Sequence, residues 1–322
     1  MPMLSIDRVP RTAVLRLHGH DRKGKAMAQL EYDTDSITDA VIARLAECQD
    51  PRFKQVMTSL IRHLHAFARD VDLKGDEWFQ AIQFLTACGK ACDDKRQEFI
   101  LLSDTLGVSM LVVALEHARA LKGRTGATPP TDATVQGPFF WEGAPEMPLG
   151  ADIAEGVSGE PALYSGRVTD LEGKPLSGAL LDIWSGDGDG VYDMQRDNSP
   201  MRARARIRTD DEGRYWFWSI RPTYYPVPDD GPVGVMLRKM GRHPNRPGHI
   251  HMIVSAPGHK KLVTHLFVKG SPYLDSDAVF GVRDSLIVEF EQHGPGTAMD
   301  GRKMGKPYHV AHYDFRLIPQ DT

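Results

Sequence analysis

The residues with the most chemistry in this sequence are two histidines one position apart, His249-Ile-His251, opening the run HIHMIVSAP. On a β-strand, residues i and i+2 face the same side, so the two imidazoles would project together. Such a pair is a chelating edge suited to a transition metal. Its competing reading is two histidines that simply pack in the strand. Two further HxH pairs stand among the thirteen histidines. His18-Gly-His20 lies in an irregular stretch, and His63-Leu-His65 lies in a helical pattern. On a helix, side chains two apart diverge by about 200° and cannot share one ion.

The remaining ligands for a His249–His251 site must come from other parts of the chain. The second half contains no cysteine, and no acidic residue sits at the spacing of a His-His-carboxylate set. The candidate hard donors are Tyr192 in DGDGVYDMQ and Tyr225 in RPTYYPVP, with Tyr224 beside it as a rival. A phenolate is a charged oxygen ligand suited to iron(III), and the ion would deprotonate it far below the usual pKa of about 10. Each tyrosine also reads as an ordinary packed ring with a bonded hydroxyl. The loop GRHPNRPG would bring Arg246 close to the histidines. Taken alone, Arg246 fits a structural salt bridge as well as it fits an active-site cation. DGDGVYD is not a calcium loop, because Val191 stands where an oxygen donor is needed and no Glu occupies the twelfth position.

The elements that must position these residues change character near residue 130. From Ser36 to about Arg124 the periodicity is helical, and Ser36 with Asp39 marks a first start. Asp50-Pro51 predicts an N-cap with proline in the first turn, followed by a stripe of Phe53, Val56, Met57, Leu60, Leu64 and Phe67. Asp76 is expected to cap a third helix ending at Gly89, and a long fourth is expected from Asp93 to Leu121. TGATPPTDAT at 125–134 reads as a linker. Beyond it, β-type runs alternate with Gly and Pro: 163–169, 179–184, 202–209, 215–220, 249–255, 262–268, 286–290 and 309–317. RTDDEGRYWFW is expected to be a hairpin turning at Gly213. Arg202, Arg204, Arg206 and Arg208 share one strand face, expected to be solvated.

At this point the residues match a known family. GRVTDLEGKPLSGALLDIWSGDGDGVYD, RPTYYPVPDDGPVGVML and GRHPNRPGHIHMIVSAPGHKKLVTHLF resemble the intradiol catechol dioxygenases, and within them the hydroxyquinol group. The resemblance runs from about Ser36 to the end. It implies an α+β chain: an N-terminal all-helical domain (36–130) that forms a homodimer, then a C-terminal antiparallel β-sandwich (131–322). Residues 1–35 form an extension, and the first 32 match nothing in the family. One iron(III) per subunit is implied, with Tyr192 and His249 equatorial and Tyr225 and His251 axial. Tyr225 is favoured over Tyr224 because the family's ligand stands three residues after the proline matched by Pro222.

The same resemblance implies a small aromatic 1,2-diol and O2 as substrates. The diol would displace Tyr225, whose released phenolate takes a substrate proton, while Arg246 steadies negative charge on the ring. Leu101, Asp104, Gly137, Phe139 and His265 would line the substrate pocket together with Arg246. Asp104 and His265 favour hydroxyquinol over catechol or chlorocatechol, whereas the bulk of Trp141 departs from the pattern. A phospholipid at the dimer interface is a further implication.

Composition sets outer bounds. A formal net charge of -4 gives no electrostatic reason to expect a nucleic-acid partner. No apolar run is long enough for membrane insertion, and the N-terminus lacks the apolar core of a secretory signal. Three cysteines, Cys48, Cys88 and Cys92, fit a reducing cytoplasm better than a disulfide framework. The rival of another class is a non-catalytic β-sandwich module whose HxH pair is structural or holds zinc.

Overall fold

The structure, a computed structural model, describes residues 32–94, 96–122, 128–196 and 200–320. The His18–His20 pair, most of the N-terminal extension and the start of the linker lie outside the described residues. The chain forms two compact units, 1–79 and 80–322.

In the first unit, α1 (Ile37–Ala43) begins after Ser36, whose hydroxyl bonds Asp33 at 2.6 Å instead of capping the helix. α2 (Pro51–Asp70) starts as its sequence predicts, with the Asp50 carboxylate accepting from the Phe53 N–H at 3.0 Å. Its stripe of Phe53, Val56, Leu60, Leu64 and Phe67 stays 43–55% exposed. His63 and His65 diverge as the helical spacing requires, one against the Ser59 carbonyl and the other against the Thr38 hydroxyl. α3 (Gly75–Lys90) runs across the unit boundary. Asp76 lies inside its first turn, and Glu77 reaches back to the Lys74 N–H at 2.9 Å.

The second unit corrects the fourth helix. The segment expected to be continuous from Asp93 is two helices, α4 (Glu98–Thr105) and α5 (Val108–Leu121), bent by 71°. The break is at Gly107, whose φ of +76° lies in the left-handed region that a side chain disfavours. No single helix among the described residues is long and apolar enough to cross a membrane. The three cysteines are free thiols, with Cys88 buried.

The rest of this unit is a sandwich of two five-stranded sheets. One has the order β3 (Arg204–Arg208), β2 (Leu180–Trp184), β7 (His249–Ser255), β8 (Leu262–Val268), β9 (Ile287–Val288). The other runs β10 (Glu291–His293), β13 (Tyr308–His312), β1 (Pro161–Thr169), β14 (Phe315–Arg316), with β4 (Arg214–Ile220) also on β1. Between them in sequence lie β5 (Tyr225–Pro226), α6 (Pro232–Lys239), β6 (Asn245–Arg246), β11 (Gly296–Thr297) and β12 (Lys303–Met304). Alternate apolar residues from both sheets, among them Tyr164, Phe217, Ile183, Ile250 and Leu266, share one buried core.

Three strand expectations need adjustment. The sandwich is mixed, because β1 pairs in parallel with β13 and β14, and β8 with β9. The turn at Gly213 is not a hairpin: β3 and β4 belong to different sheets, so it carries the chain across the core. The run 309–317 is interrupted at Tyr313–Asp314, where the Asp314 carboxylate takes the Arg167 N–H at 2.8 Å in place of a ladder carbonyl.

Tyr164 shows how the core fixes this topology. It is buried, stacks on Phe217 with ring centroids 4.9 Å apart, and donates its hydroxyl to the Ile220 carbonyl at 2.8 Å. Pro161, opposite Ile220, has no N–H to offer. Tyr164→Phe should therefore cost about 1–2 kcal/mol through the unpaired carbonyl. Tyr164→Ala should cost about 3–5 kcal/mol through the lost ring. Thermal melting of both variants checks the ranking.

Candidate metal centre

The centre of the first sheet positions three rings in a row. His249 and His251 lie on the same face of β7, each 1% exposed. The ladder sets Trp184 of β2 and His265 of β8 opposite His251 on either side. Trp184 stacks on His251 at 4.6 Å and 15°, and His265 meets it edge-on at 4.3 Å. The ring is clamped on both flanks.

The tyrosines arrive from loops. Tyr192 follows β2 after the Gly186–Gly190 turn, and Tyr225 sits on β5, paired in register with Arg246 of β6. Tyr192 Oη lies 2.9 Å from His251 Nε2 and 3.3 Å from Tyr225 Oη. Tyr225 Oη is 3.3 Å from His249 Nε2, and the two Nε2 atoms are 3.2 Å apart. Four donor atoms from β7, β5 and the loop after β2 thus form a closed ring of contacts. Tyr224 is 44% exposed and packs on Tyr273 instead. Of the two adjacent tyrosines, only Tyr225 reaches the histidines.

The donor chemistry fits a cation. His249 Nδ1 lies 2.7 Å from the Pro247 carbonyl, which requires the proton there and leaves Nε2 a bare lone pair. That lone pair faces the His251 Nε2 at 3.2 Å, the Tyr225 oxygen at 3.3 Å and Arg246 Nη1 at 3.1 Å in a buried site. Ligands about 2.0–2.2 Å from a common ion stand roughly 3 Å from one another, as these do. Burial, helped by the Arg246 charge, pushes His249 down to about 3. Burial and the neighbouring His249 hold His251 well below its ordinary value, and burial beside both does the same to His265. Both phenols are pushed up by burial, Tyr192 further than Tyr225, which Arg246 partly offsets. A metal ion reverses the sign for the phenols, because its charge favours the phenolate. Among His, Cys and carboxylate side chains, His249, His251 and His265 also form a cluster able to hold a metal.

Two buried ion pairs frame the ring. Arg246 is 2% exposed, lies 3.1 Å from His249 Nε2 and bonds Asp277 at 3.0 Å. Burial disfavours the Asp277 carboxylate, but Arg246 more than compensates and holds it below its usual range. Asp277 carried no sequence signal, standing thirty-one residues from its partner. On the other flank Arg204 pairs with Asp193, the residue after Tyr192, and both are buried. This corrects the solvated arginine stripe: Arg204 is internal, Arg206 bonds the Ala144 carbonyl, and Arg208 pairs with Glu146 at the surface. The strand period placed these side chains on one face, but the segment that covers that face is distant in sequence. Trp184 was likewise missed.

The other expected residues sort by distance from the ring. Phe139 stacks on Tyr192 at 4.5 Å. Gly137 has φ +77°, and a Cβ there would stand 3.1 Å from His251 Cε1, so a side chain would meet both strain and the imidazole. Gly137 and Asp104 line an adjoining cavity of about 970 Å³, with Val135, Leu262 and Leu317. Asp104 is 3% exposed, and burial raises its pKa while Ser109 and Arg246 oppose the rise. Leu101 is buried with Val135, Val233 and Val279. Trp141 lies under the Arg204 guanidinium at 6.0 Å.

Comparison with known proteins meets this geometry. The family model described as "Dioxygenase" matches residues 135–319, and "Catechol dioxygenase N terminus" matches 50–123. The chain belongs to the intradiol ring-cleavage dioxygenases. A 6-chlorohydroxyquinol 1,2-dioxygenase of Cupriavidus pinatubonensis is 52% identical over 83% of this chain and 95% of that protein. A hydroxyquinol 1,2-dioxygenase of Corynebacterium glutamicum is 47% identical over 91% of this chain and 96% of its own. The solved hydroxyquinol 1,2-dioxygenase of Pseudomonas putida DLL-E4 superposes with TM-score 0.81 at 46% identity, covering 89% of this chain and 99% of that one. As an intradiol dioxygenase the chain is an oxidoreductase, and the non-catalytic module reading falls away.

Two outcomes follow for this dioxygenase. Between pH 6.5 and about 3 the unfolded chain takes up protons that the buried imidazoles refuse, so the folded state loses ground as pH falls. The metal-stripped protein should therefore melt at progressively lower temperature across that interval; a flat profile would contradict neutral buried histidines. Asp277→Ala should destabilise the protein by about 3–5 kcal/mol, because it strands the Arg246 charge. Chemical denaturation measures that loss.

Proposed function

We propose that this dioxygenase cleaves hydroxyquinol (1,2,4-trihydroxybenzene) between its adjacent hydroxyl-bearing carbons. Both atoms of O2 enter the product, 3-hydroxy-cis,cis-muconate, whose keto form is maleylacetate. Iron(III) is the metal, held by Tyr192, Tyr225, His249 and His251. The observation that carries the reading is the closed ring of two phenols and two imidazoles in a buried site. Two hard phenolic oxygens beside two imidazoles favour a ferric ion over the softer divalent metals. When bound, iron(III) supplies a Lewis acid that gathers a 1,2-diol and draws electron density from its ring.

The chain's own residues do the rest. As the phenolate that a bound ferric ion would favour, Tyr225 would take the proton of a diol hydroxyl, and the Arg246 charge beside it eases that ionisation. Tyr192 is the fixed donor, stacked under Phe139 and tethered through Asp193 to Arg204. Arg246, immobilised by Asp277, directs a guanidinium N–H at negative charge developing on the substrate. His265 is fully buried, and neither ring nitrogen has a hydrogen-bond partner among the described residues. It is a neutral group available to a ring hydroxyl.

Substrate choice rests on Asp104. A buried carboxylate on the cavity wall accepts a hydrogen bond from the third hydroxyl, and a diol lacking that hydroxyl leaves it unpaired. The curated relatives named above support hydroxyquinol in the same direction. The exposed apolar faces of α2 and α5, with Phe53, Leu60, Leu64, Leu111 and Leu115, support a homodimer through the helical domain of residues 36–130.

Ferric-loaded protein should be red through phenolate-to-iron charge transfer, and Tyr192→Phe should lose most of that absorbance. A protein that stays colourless after ferric loading would falsify the proposed centre. Asp104→Leu should lower kcat/KM for hydroxyquinol by about 10-fold or more relative to catechol. Equal losses on both substrates would remove Asp104 from the specificity argument.

A further inference from the structure

The turn Asp277–Gly281 does more than supply a carboxylate to Arg246. Asp277 also accepts the Gly281 N–H at 2.9 Å and the Val279 N–H at 3.3 Å, which rigidifies the turn around the ion pair. The carbonyl of the next residue, Ala278, accepts from Arg242 Nη2 at 2.8 Å. The other arm of the same guanidinium, Nη1, donates to the Thr105 carbonyl at 2.6 Å. Thr105 is the last residue of α4 and directly follows Asp104. One planar fork therefore ties the end of the helix carrying Asp104 to the turn that holds Arg246.

Two further observations single out this junction. Phe280 adopts φ +60°, a region that costs a bulky residue free energy, and its side chain remains half exposed. Its own burial does not repay that strain. What the conformation achieves is a ring 4.8 Å from the Arg242 guanidinium, set against Gly107 at the break between α4 and α5. The opposite end of α4 is also fixed: Glu98, fully buried, accepts the Val233 N–H at 3.0 Å and Arg96 Nε at 2.8 Å. A helix of eight residues pinned at both termini has little freedom to shift its side chains along the cavity wall.

We propose that Arg242 is a positioning residue for substrate specificity, holding α4 at the distance from the metal centre at which Asp104 discriminates the ring. This rests on the reading of Asp104 as the acceptor for the third hydroxyl. Arg242 bonds none of the four ring donors, so its effect on turnover is indirect, through α4 on one arm and the 277–281 turn on the other. Lysine is not equivalent here, because a single ammonium lacks the planar fork that spans two carbonyls. Arginine near the last turn of α4 also suits the negative end of the helix dipole.

The test compares kcat/KM for hydroxyquinol and for catechol in ferric-loaded Arg242→Met, Arg242→Lys and Asp104→Leu. Arg242→Met should lose about 10-fold on hydroxyquinol and less than about 2-fold on catechol, mostly through KM. Its phenolate-to-iron absorption should stay where the parent's is, because the four ligands are untouched. Parallel losses on both substrates, an unchanged ratio, or a displaced absorption band would overturn the inference. If Arg242→Met does not accumulate as folded protein, Arg242→Lys decides the same comparison, with a smaller fall in the ratio expected and an unchanged ratio fatal. Asp104→Leu judges the underlying reading separately: a ratio left intact there overturns Asp104 as the acceptor and the inference with it, whereas a lowered ratio there beside an unchanged one in Arg242→Met overturns the inference alone. The double variant should lose no more selectivity than Asp104→Leu alone.

Discussion

The structure is organised around four lone-pair donors held about 3 Å apart where water does not reach. Without a cation, the two phenol protons serve the two imidazole nitrogens. Imidazole nitrogens and phenol oxygens crowd one point, and burial prevents the histidines from relieving the crowding by taking protons. The surroundings must therefore enforce the geometry. The antiparallel ladder does so for the histidines, because cross-strand register fixes Trp184 and His265 against His251 to within the tolerance of a sheet. Tyr225 is held by its pairing with Arg246 across β5 and β6, whereas for Tyr192, which comes from a loop, the enforcement is electrostatic.

That enforcement takes the form of two buried ion pairs, one on each flank. Arg204–Asp193 restrains the loop of Tyr192, and Arg246–Asp277 stands beside Tyr225 and His249. Buried pairs of this kind contribute uncertain net stability, since desolvation offsets much of their attraction. Their value here is geometric. Each pair is neutral overall, so it fixes a backbone segment without adding net charge next to a site whose own charges must balance a metal.

The helical region contributes the cavity wall that carries Asp104. A continuous helix from Asp93 onward would not turn along the cavity as this segment does. The left-handed Gly107 divides it and directs α5 away at 71°. Leu101 packs against Val135, which lines the cavity together with Asp104, a buried carboxylate. The four-donor ring and the wall carrying Asp104 thus come from distant parts of the second unit, joined through the 277–281 turn.

Much of this was legible in the sequence wherever the physical signal is local. The i, i+2 period placed both imidazoles on one strand face, the Asp50-Pro51 cap started α2, and the change from helical to β periodicity set the α+β order. Family motifs supplied Tyr192 and Tyr225, which spacing alone left as ordinary packed rings. What the sequence could not specify depends on contacts between segments far apart in the chain. Asp277 is an ordinary loop acid until the fold brings it to Arg246. Arg204 reads as surface until the segment after Tyr192 closes over it, and the turn at Gly213 reads as a hairpin until its strands join different sheets. Periodicity fixes which residues share a face, but only tertiary packing decides what covers that face, because covering it requires closing a loop whose partner leaves no trace in local sequence.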